Sequence, residues 1–391
     1  MLHWKSRLTF GLAAALVLYL TADVAAQDVR VARGFTQVAI ATGTTAYTLS
    51  TADALAPVTD TDLPACKDVT RIRGRFVWVP SDGSSLIFSE VNDAGNLGPA
   101  SRFDAESYPD LNVAIENIKN DLYALNQESI EPFRDVGPED FPFVPVSNAV
   151  MSVGYVAGKI LTKDSLIFLG KDKDNGYAFF IISDGLPQII SSAPINEMLN
   201  QDYNREELEG VRAQRFNWRG VDCYVFSFYD RTLIYAGGNW NYLDQGINSA
   251  AVRSTFDYYH AVLLGSTWYL QAADGIYKLT TEKSDTKGDF ARQFVTYARS
   301  PQKARFQSNY VELENLQGTT NLKGSIGLAV SRTPGVWSPQ LYVDLAEIGR
   351  SNDTLRWSSM GGLGQYDGWM GLNVYTTDPI EFAAENLLVD I

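Results

Sequence analysis

Residues able to do chemistry are few in this 391-residue chain. It holds two histidines, His3 and His260, and two cysteines, Cys66 and Cys223, which leaves little for a zinc site or a His-based triad. The cysteines sit in or beside apolar runs, Pro64-Ala65-Cys66 and Asp222-Cys223-Tyr224-Val225. A free thiol there packs as a small hydrophobe, and a single long-range disulfide is open only in an oxidising compartment. Asp172-Lys173-Asp174-Asn175-Gly176 spaces carboxylates as at the start of a calcium loop. The glycine falls one place early, however, and the twelfth position is Ser183 instead of glutamate. Between the apolar runs 166–169 and 177–180, this segment is expected to be a hairpin turn, with Asn-Gly supplying positive φ.

Arg75, Arg102 and Arg134 could clamp an anionic sugar, although scattered arginines are usually solvated or paired at the surface. Carboxylates number 46, yet no spacing fixes two of them at the separation a glycosidase needs. His260, in Asp257-Tyr258-Tyr259-His260-Ala261, is expected to be a packed core or rim residue rather than a base. Ser331-Arg332-Thr333-Pro334-Gly335-Val336-Trp337 is similar to the Asp-box hairpin of sialidase-like propellers but lacks the aspartate. No P-loop, dinucleotide fingerprint or nucleophile elbow occurs. No residue is therefore assigned a catalytic, cofactor-binding or metal-binding role.

The elements that would carry these residues are strands. Aromatic residues make up 12% of the chain, and flat rings favour pleated surfaces. With 45% hydrophobic and 20% charged residues the chain can bury a core. Its net charge of −14 argues against a clamp on nucleic-acid phosphates, which needs a basic face. Residues 1–27 imitate a secretory signal: Lys5 and Arg7, an apolar stretch over 11–20, then Val24-Ala25-Ala26. The same apolar run reads equally well as a buried strand, and it is too short and weakly flanked for a membrane span.

A unit recurs along the chain, a β-rich run followed by a turn and a second run carrying an aromatic. Its markers Tyr47, Phe88, Phe133, Phe179, Tyr235 and Tyr277 are separated by 41, 45, 46, 56 and 42 residues. That is the spacing of propeller blades, four-stranded sheets that bury their faces only against neighbours. The long fourth interval contains Ser192-Ala193-Pro194-Ile195-Asn196-Glu197-Met198-Leu199, expected to be a short inserted helix. Residues 111–125, with Ile115, Ile118 and Leu122 at helical spacing, fit a helix or a strand pair. The marker hairpin stops recurring near Ser300-Pro301. Residues 306–391 carry four basic and ten acidic residues, a net of −6, with alternating runs and Gly-rich turns. The expected fold is all-β, a six-bladed β-propeller over 1–305 with a C-terminal antiparallel β-sandwich-like extension over 306–391.

Several motifs in order resemble the packaged-DNA stabilisation, or tail nozzle, family of short-tailed bacteriophages. They are Asp140-Phe141-Pro142-Phe143, Asp174-Asn175-Gly176-Tyr177 and Ser183-Asp184-Gly185-Leu186-Pro187-Gln188-Ile189-Ile190-Ser191. Towards the end come Leu328-Ala329-Val330-Ser331-Arg332-Thr333-Pro334-Gly335-Val336-Trp337-Ser338, Glu347-Ile348-Gly349, Leu355-Arg356-Trp357 and Thr376-Thr377-Asp378-Pro379. Leu186-Pro187 departs from the family's Thr-Pro, and its Asp-Asp-Gly-Gly hairpin is absent. The resemblance implies a non-enzymatic virion tail protein without cofactor. It implies a homo-oligomeric, hexameric ring of propellers on an adaptor ring below the portal, with tail needle or plug and tailspike or fibre proteins as neighbours. Duplex DNA would pass through the ring without sequence-specific binding, retained until ejection, and no stable membrane insertion is expected. In that setting the signal-like start is a false positive. Carboxylates lining the ring's lumen would repel phosphates so that DNA slides, and Glu139-Asp140-Phe141-Pro142-Phe143 would be either an intersubunit anchor or core packing. The other expectation is a secreted bacterial propeller that binds or hydrolyses carbohydrate.

Overall fold

The structure is a computed structural model. It describes residues 29–389 apart from 53, 99–100, 106–109, 138–141, 175, 184, 248–252, 257, 273–274, 281–291, 300–304, 317–324, 334–335, 345–352, 359–362 and 377–385. The signal-like segment with His3, the Ser300-Pro301 boundary and Glu139-Asp140-Phe141 lie outside the described residues. The chain is all-β apart from two short helices and divides into two compact units. One comprises Met1–Leu243 with Phe256–Leu279, the other Asp244–Thr255 with Thr280–Ile391. The expected boundary at 305/306 falls inside the second unit, whose strand Arg292–Arg299 pairs with Trp369–Thr376.

Described residues of the first unit form six antiparallel sheets, each laid down strand by strand in chain order. The first runs Arg30–Arg33, Gln37–Ala41, Ala46–Ser50, Leu55–Pro57, and the second Cys66–Ile72, Arg75–Pro80, Leu86–Phe88, Arg102–Phe103. The third runs Asn112–Ile118, Asp121–Asn126, Ile130–Asp135, Phe143–Pro145, so residues 111–125 are a strand pair. Next come Val153–Leu161, Leu166–Asp172, Gly176–Ile182, Pro187–Ile189, and then Arg212–Trp218, Val221–Ser227, Thr232–Ala236, Asn239–Tyr242. The sixth holds Tyr258–Leu264, Thr267–Ala272 and Gly275–Lys278. All six marker aromatics stand on the third strand of their own sheet. The recurrence read from the sequence is thus the period of the sheet. Two-residue turns such as Arg73-Gly74 and Arg219-Gly220 hold both residues at positive φ, the primed geometry whose twist matches that of paired strands.

Packing follows from a simple requirement: a sheet with two apolar faces must cover both. Consecutive sheets do this for one another. Ala39 and Ala41 share a cluster with Trp78 and Ile87, and Val77 and Phe88 share one with Leu122 and Phe133. Leu125 packs with Phe168 and Phe180, Phe179 with Phe226, and Val225 with Tyr258 and Leu270. Four-stranded antiparallel sheets stacked in sequence order in this way have the construction of propeller blades.

The inserted helix spans Ala193–Gln201, with Ser192 as its N-cap residue and a proline in the first turn. Ser192 makes no side-chain cap hydrogen bond; Met198 and Leu199 bury against the cluster around Phe179. A second helix, Arg205–Glu209, follows at once, held by a reciprocal capping box between Asn204 and Glu207. Within the second unit, the four-stranded sheet Arg292–Arg299, Trp369–Thr376, Ser325–Ser331, Leu341–Asp344 and the three-stranded sheet Asp353–Ser358, Tyr310–Leu316, Asn386–Val389 contribute to one core. Leu328, Leu372 and Val374 of the former meet Val311, Leu313 and Trp357 of the latter.

Sheets pack so closely that some positions admit no side chain. A Cβ on Gly154 would lie 1.9 Å from the Gln127 carbonyl oxygen of the preceding sheet. Gly154→Ala is expected to cost about 1–3 kcal/mol through enforced overpacking, read as a lowered thermal midpoint. Gly95→Ala, where a Cβ meets nothing closer than 3.9 Å, is expected to be neutral or to stabilise by about 0.4–1 kcal/mol.

Candidate functional site

The first strand of each sheet is its lead strand, and lead strands from five sheets border a cavity of about 870 Å³ in the first unit. Its walls include Arg30–Arg33, residues 68–71, Glu116 and Asn117, Lys159 and Leu161, and residues 260–264. On its wall three charged side chains from three sheets meet. Lys159 Nζ donates to Asp68 Oδ2 at 2.5 Å and to the Ile115 carbonyl oxygen at 2.5 Å, and stands 3.3 Å from Glu116 Oε2. Side-chain exposures of 6% for Lys159 and 3% for Asp68 mark the pair as almost wholly buried, where an ion pair persists only if its remaining hydrogen-bonding capacity is also used.

It is used. Asp68 Oδ1 accepts from the Val69 amide at 2.9 Å, and Oδ2 also accepts from the Ile115 amide at 2.8 Å. Glu116 Oε1 accepts from Thr70 Oγ1 at 3.0 Å and from the Asn117 amide at 3.1 Å, while Asn117 Nδ2 donates to the Arg71 carbonyl oxygen at 2.9 Å. With every carboxylate oxygen engaged inside the protein, neither acid is placed as a nucleophile or general base, and the amine is held between anions. The cluster is a strut across three sheets.

Backbone irregularities aim these groups. The register of Cys66–Ile72 slips between Cys66 and Asp68, and that of Val153–Leu161 between Ala157 and Ile160. Both are β-bulges, which turn a side chain away from strict alternation. Gly158, beside Lys159, takes φ +65°, a conformation that costs residues with a Cβ roughly 1–2 kcal/mol. A third slip between Tyr258 and His260 sets His260 on the cavity wall, partly exposed. His260 is therefore a rim residue, and the sequence carried no signal for the Asp68–Glu116–Lys159 meeting.

Basic side chains outnumber acids on the cavity wall: Arg30, Arg33, Arg71 and Lys159 against Asp68 and Glu116. The acid excess of the chain therefore lies elsewhere. At the rim, Phe35 is 81% exposed with the Arg71 guanidinium over its ring at 4.7 Å.

The other residues singled out are not brought together. Arg75 is buried, donating to the Ser89 carbonyl oxygen at 3.0 Å and lying over the Phe88 ring. Arg102 donates to the Asp62 carbonyl oxygen, and Arg134 forks onto Asp121 at 3.0 and 3.3 Å. None borders the cavity, so no anion clamp forms from them. The Asp172 segment is a hairpin turn, with Asp172 paired to Gly176 and Lys171 to Tyr177. Thr333 and Val336 bridge in the Ser331 hairpin. Phe143 packs edge-on against Phe88 at 5.6 Å, a core role. Cys66 and Cys223 are free, buried thiols. Burial, with Asp82 adding to it, pushes the Cys66 thiol up to about 12, and burial also raises Cys223. Among the described residues, no helix is long and apolar enough to cross a membrane.

Compared with known proteins, residues 13–279 match the family model described as Bacteriophage P22 Gp10, beta-propeller. The matched segment ends at the last residue of the first unit, Leu279. The tail hub protein gp10 of Salmonella phage P22 is 25% identical over 216 residues, covering 52% of this chain and 45% of that protein. The chain thus matches less than half the length of this curated relative. Similar solved structures include the extracellular domain of a hybrid two-component system from B. thetaiotaomicron, at 10% identity and TM-score 0.41 over 70% of this chain and 34% of that one. Another is Hsv2 of Kluyvelomyces marxianus, at 8% identity and TM-score 0.37 over 67% and 77%. At these scores neither structure bears on the function of this chain.

Lys159→Met strands two buried carboxylates and is expected to cost about 3–5 kcal/mol; Thr70→Val, which removes one donor to Glu116, about 1–3 kcal/mol. Urea midpoints measure both. The folded Cys66 thiol keeps its proton up to about 12 whereas an unperturbed thiol loses it near 9.0. Its contribution to stability is therefore full below 9.0 and declines as pH rises towards about 12. Wild type should lose urea resistance across that window more steeply than Cys66→Val.

Proposed function

Because the chain belongs to the Bacteriophage P22 Gp10 β-propeller family, whose model spans residues 13–279, we propose that it is a structural subunit of a phage tail hub. In this reading the six sheets of the first unit are the blades of one propeller and the second unit is its tip domain. Copies of the chain form a hexameric ring on the tail axis, seated on an adaptor ring below the portal and carrying the needle or plug. Tailspikes or fibres are its neighbours. The ring retains packaged DNA and conducts it at ejection, without catalysis.

The observation that carries the reading is the family match over residues 13–279, which takes in most of the first unit and ends with it at Leu279. Chemistry on the cavity wall supports it, since the carboxylates there are committed to holding sheets together. Charge does as well. A net of −14, with basic groups in excess in the cavity, leaves acids for surfaces that face DNA, where they repel phosphates and let a duplex slide. Propeller closure protects strand edges, an advantage for a wall under internal pressure.

Native mass spectrometry of the purified chain should show a species of six 43.2-kDa copies, roughly 259 kDa. Purified virions should contain the chain, and particles assembled without it should lose their DNA to added nuclease. A monomer under all conditions, absent from virions, overturns the reading.

A further inference from the structure

Asp68, Glu116 and Lys159 come from the lead strands of the second, third and fourth sheets. Their committed oxygens close the cluster to a substrate from outside, yet the three groups face one another as the parties to a condensation. Nζ of Lys159 stands 2.5 Å from Asp68 Oδ2. At that hydrogen-bond distance an amine nitrogen lies about 3–3.5 Å from the carboxyl carbon, the range of a near-attack arrangement. Holding two reactants in this way makes their effective concentration far higher than any reached in free solution.

Three features of the surroundings favour reaction over a standing ion pair. Burial is the first: both charges are held almost without bulk water, whereas the amide they would form carries no charge to desolvate. Second, the Val69 amide donates to Asp68 Oδ1 at 2.9 Å, where it would stabilise the charge that builds on that oxygen as the carbon is attacked. Glu116 supplies the third. Thr70 and the Asn117 amide pin its Oε1, which leaves Oε2 at 3.3 Å from Nζ, facing a proton of the amine. All three residues border the cavity, into which a released water can pass.

We propose that Lys159 and Asp68 join in an intramolecular isopeptide bond, with Glu116 relaying a proton between them. Nζ passes one proton to Asp68 Oδ2 across their hydrogen bond, leaving a neutral amine beside a carboxylic acid. The nitrogen lone pair then forms a bond to Cγ, and the carbonyl electron pair moves onto Oδ1. Glu116 Oε2 takes a second proton from Nζ and returns it to Oδ2. As the electron pair on Oδ1 re-forms the carbonyl, the Cγ–Oδ2 bond breaks and Oδ2 leaves as water with both protons. Nζ keeps its third hydrogen, which it donates to the Ile115 carbonyl oxygen. Ammonium and carboxylate thus become amide and water, with no oxidant, reductant or cofactor. The bond ties the second sheet to the fourth, past the third, and joins residues 91 positions apart in the chain.

The test is the intact mass of the purified full chain. Reaction removes one water, about 18 Da, from the 43.2-kDa chain. Trypsin does not cut after an acylated lysine, so digestion should release residues 68–71 branched onto residues 135–163 with Lys159 uncleaved. Wild-type chain at its full sequence mass overturns the proposal. So does the same deficit without the branched peptide, since an aspartate can also lose water within its own backbone. Glu116→Gln keeps the shape of the side chain and removes the relay, which is expected to slow bond formation roughly a hundredfold. That variant should be purified mostly at full mass with the circular dichroism of the folded wild type; if it is instead cross-linked as completely as wild type, the relay is overturned. Where Glu116→Gln fails to fold, the wild-type mass and peptide map decide alone.

Discussion

A four-stranded sheet with two apolar faces is not a stable object in water, and the organisation of the first unit follows from that constraint. Each sheet is covered by the next in the chain, so the interfaces around Trp78, Phe133, Phe168, Phe179 and Val225 are shared property. Packing of this kind transmits position from sheet to sheet. It also explains why a glycine such as Gly154 is required at a place far from any chemistry: the neighbouring turn occupies the space a side chain would need.

The Asp68–Glu116–Lys159 cluster acts where that packing is least able to help, at the lead strands bordering the cavity. Apolar side chains cannot fill a space of this size. Charged groups on its wall tie three lead strands together instead, at the cost of desolvation and with the benefit of direction. Two bulges and a positive-φ glycine are needed to turn Asp68 and Lys159 towards each other. The same saturation that makes the cluster a good strut leaves neither carboxylate an uncommitted oxygen.

Much of this was legible in the chain. The marker aromatics recur because each of the six sheets carries one on its third strand, and that periodicity survives in one dimension. Turns at Asp172–Gly176 and the helix at Ala193–Gln201 follow from residues that act on their immediate neighbours. The capping box of Arg205–Glu209 has a local signature too, Asn204 three residues ahead of Glu207.

By itself, then, the sequence determined what depends on local chemistry and on repetition: all-β character, the spacing of the sheets, the turns, and the burial of both cysteines in apolar runs. Tertiary structure alone decided which charges meet. Asp68, Glu116 and Lys159 belong to three different sheets, and the bulges that aim them arise from how strands slip past one another, for which no residue pattern codes. It likewise resolved residues 111–125 as a strand pair, because helical and pleated spacings both suit that stretch until a partner sheet demands a flat face.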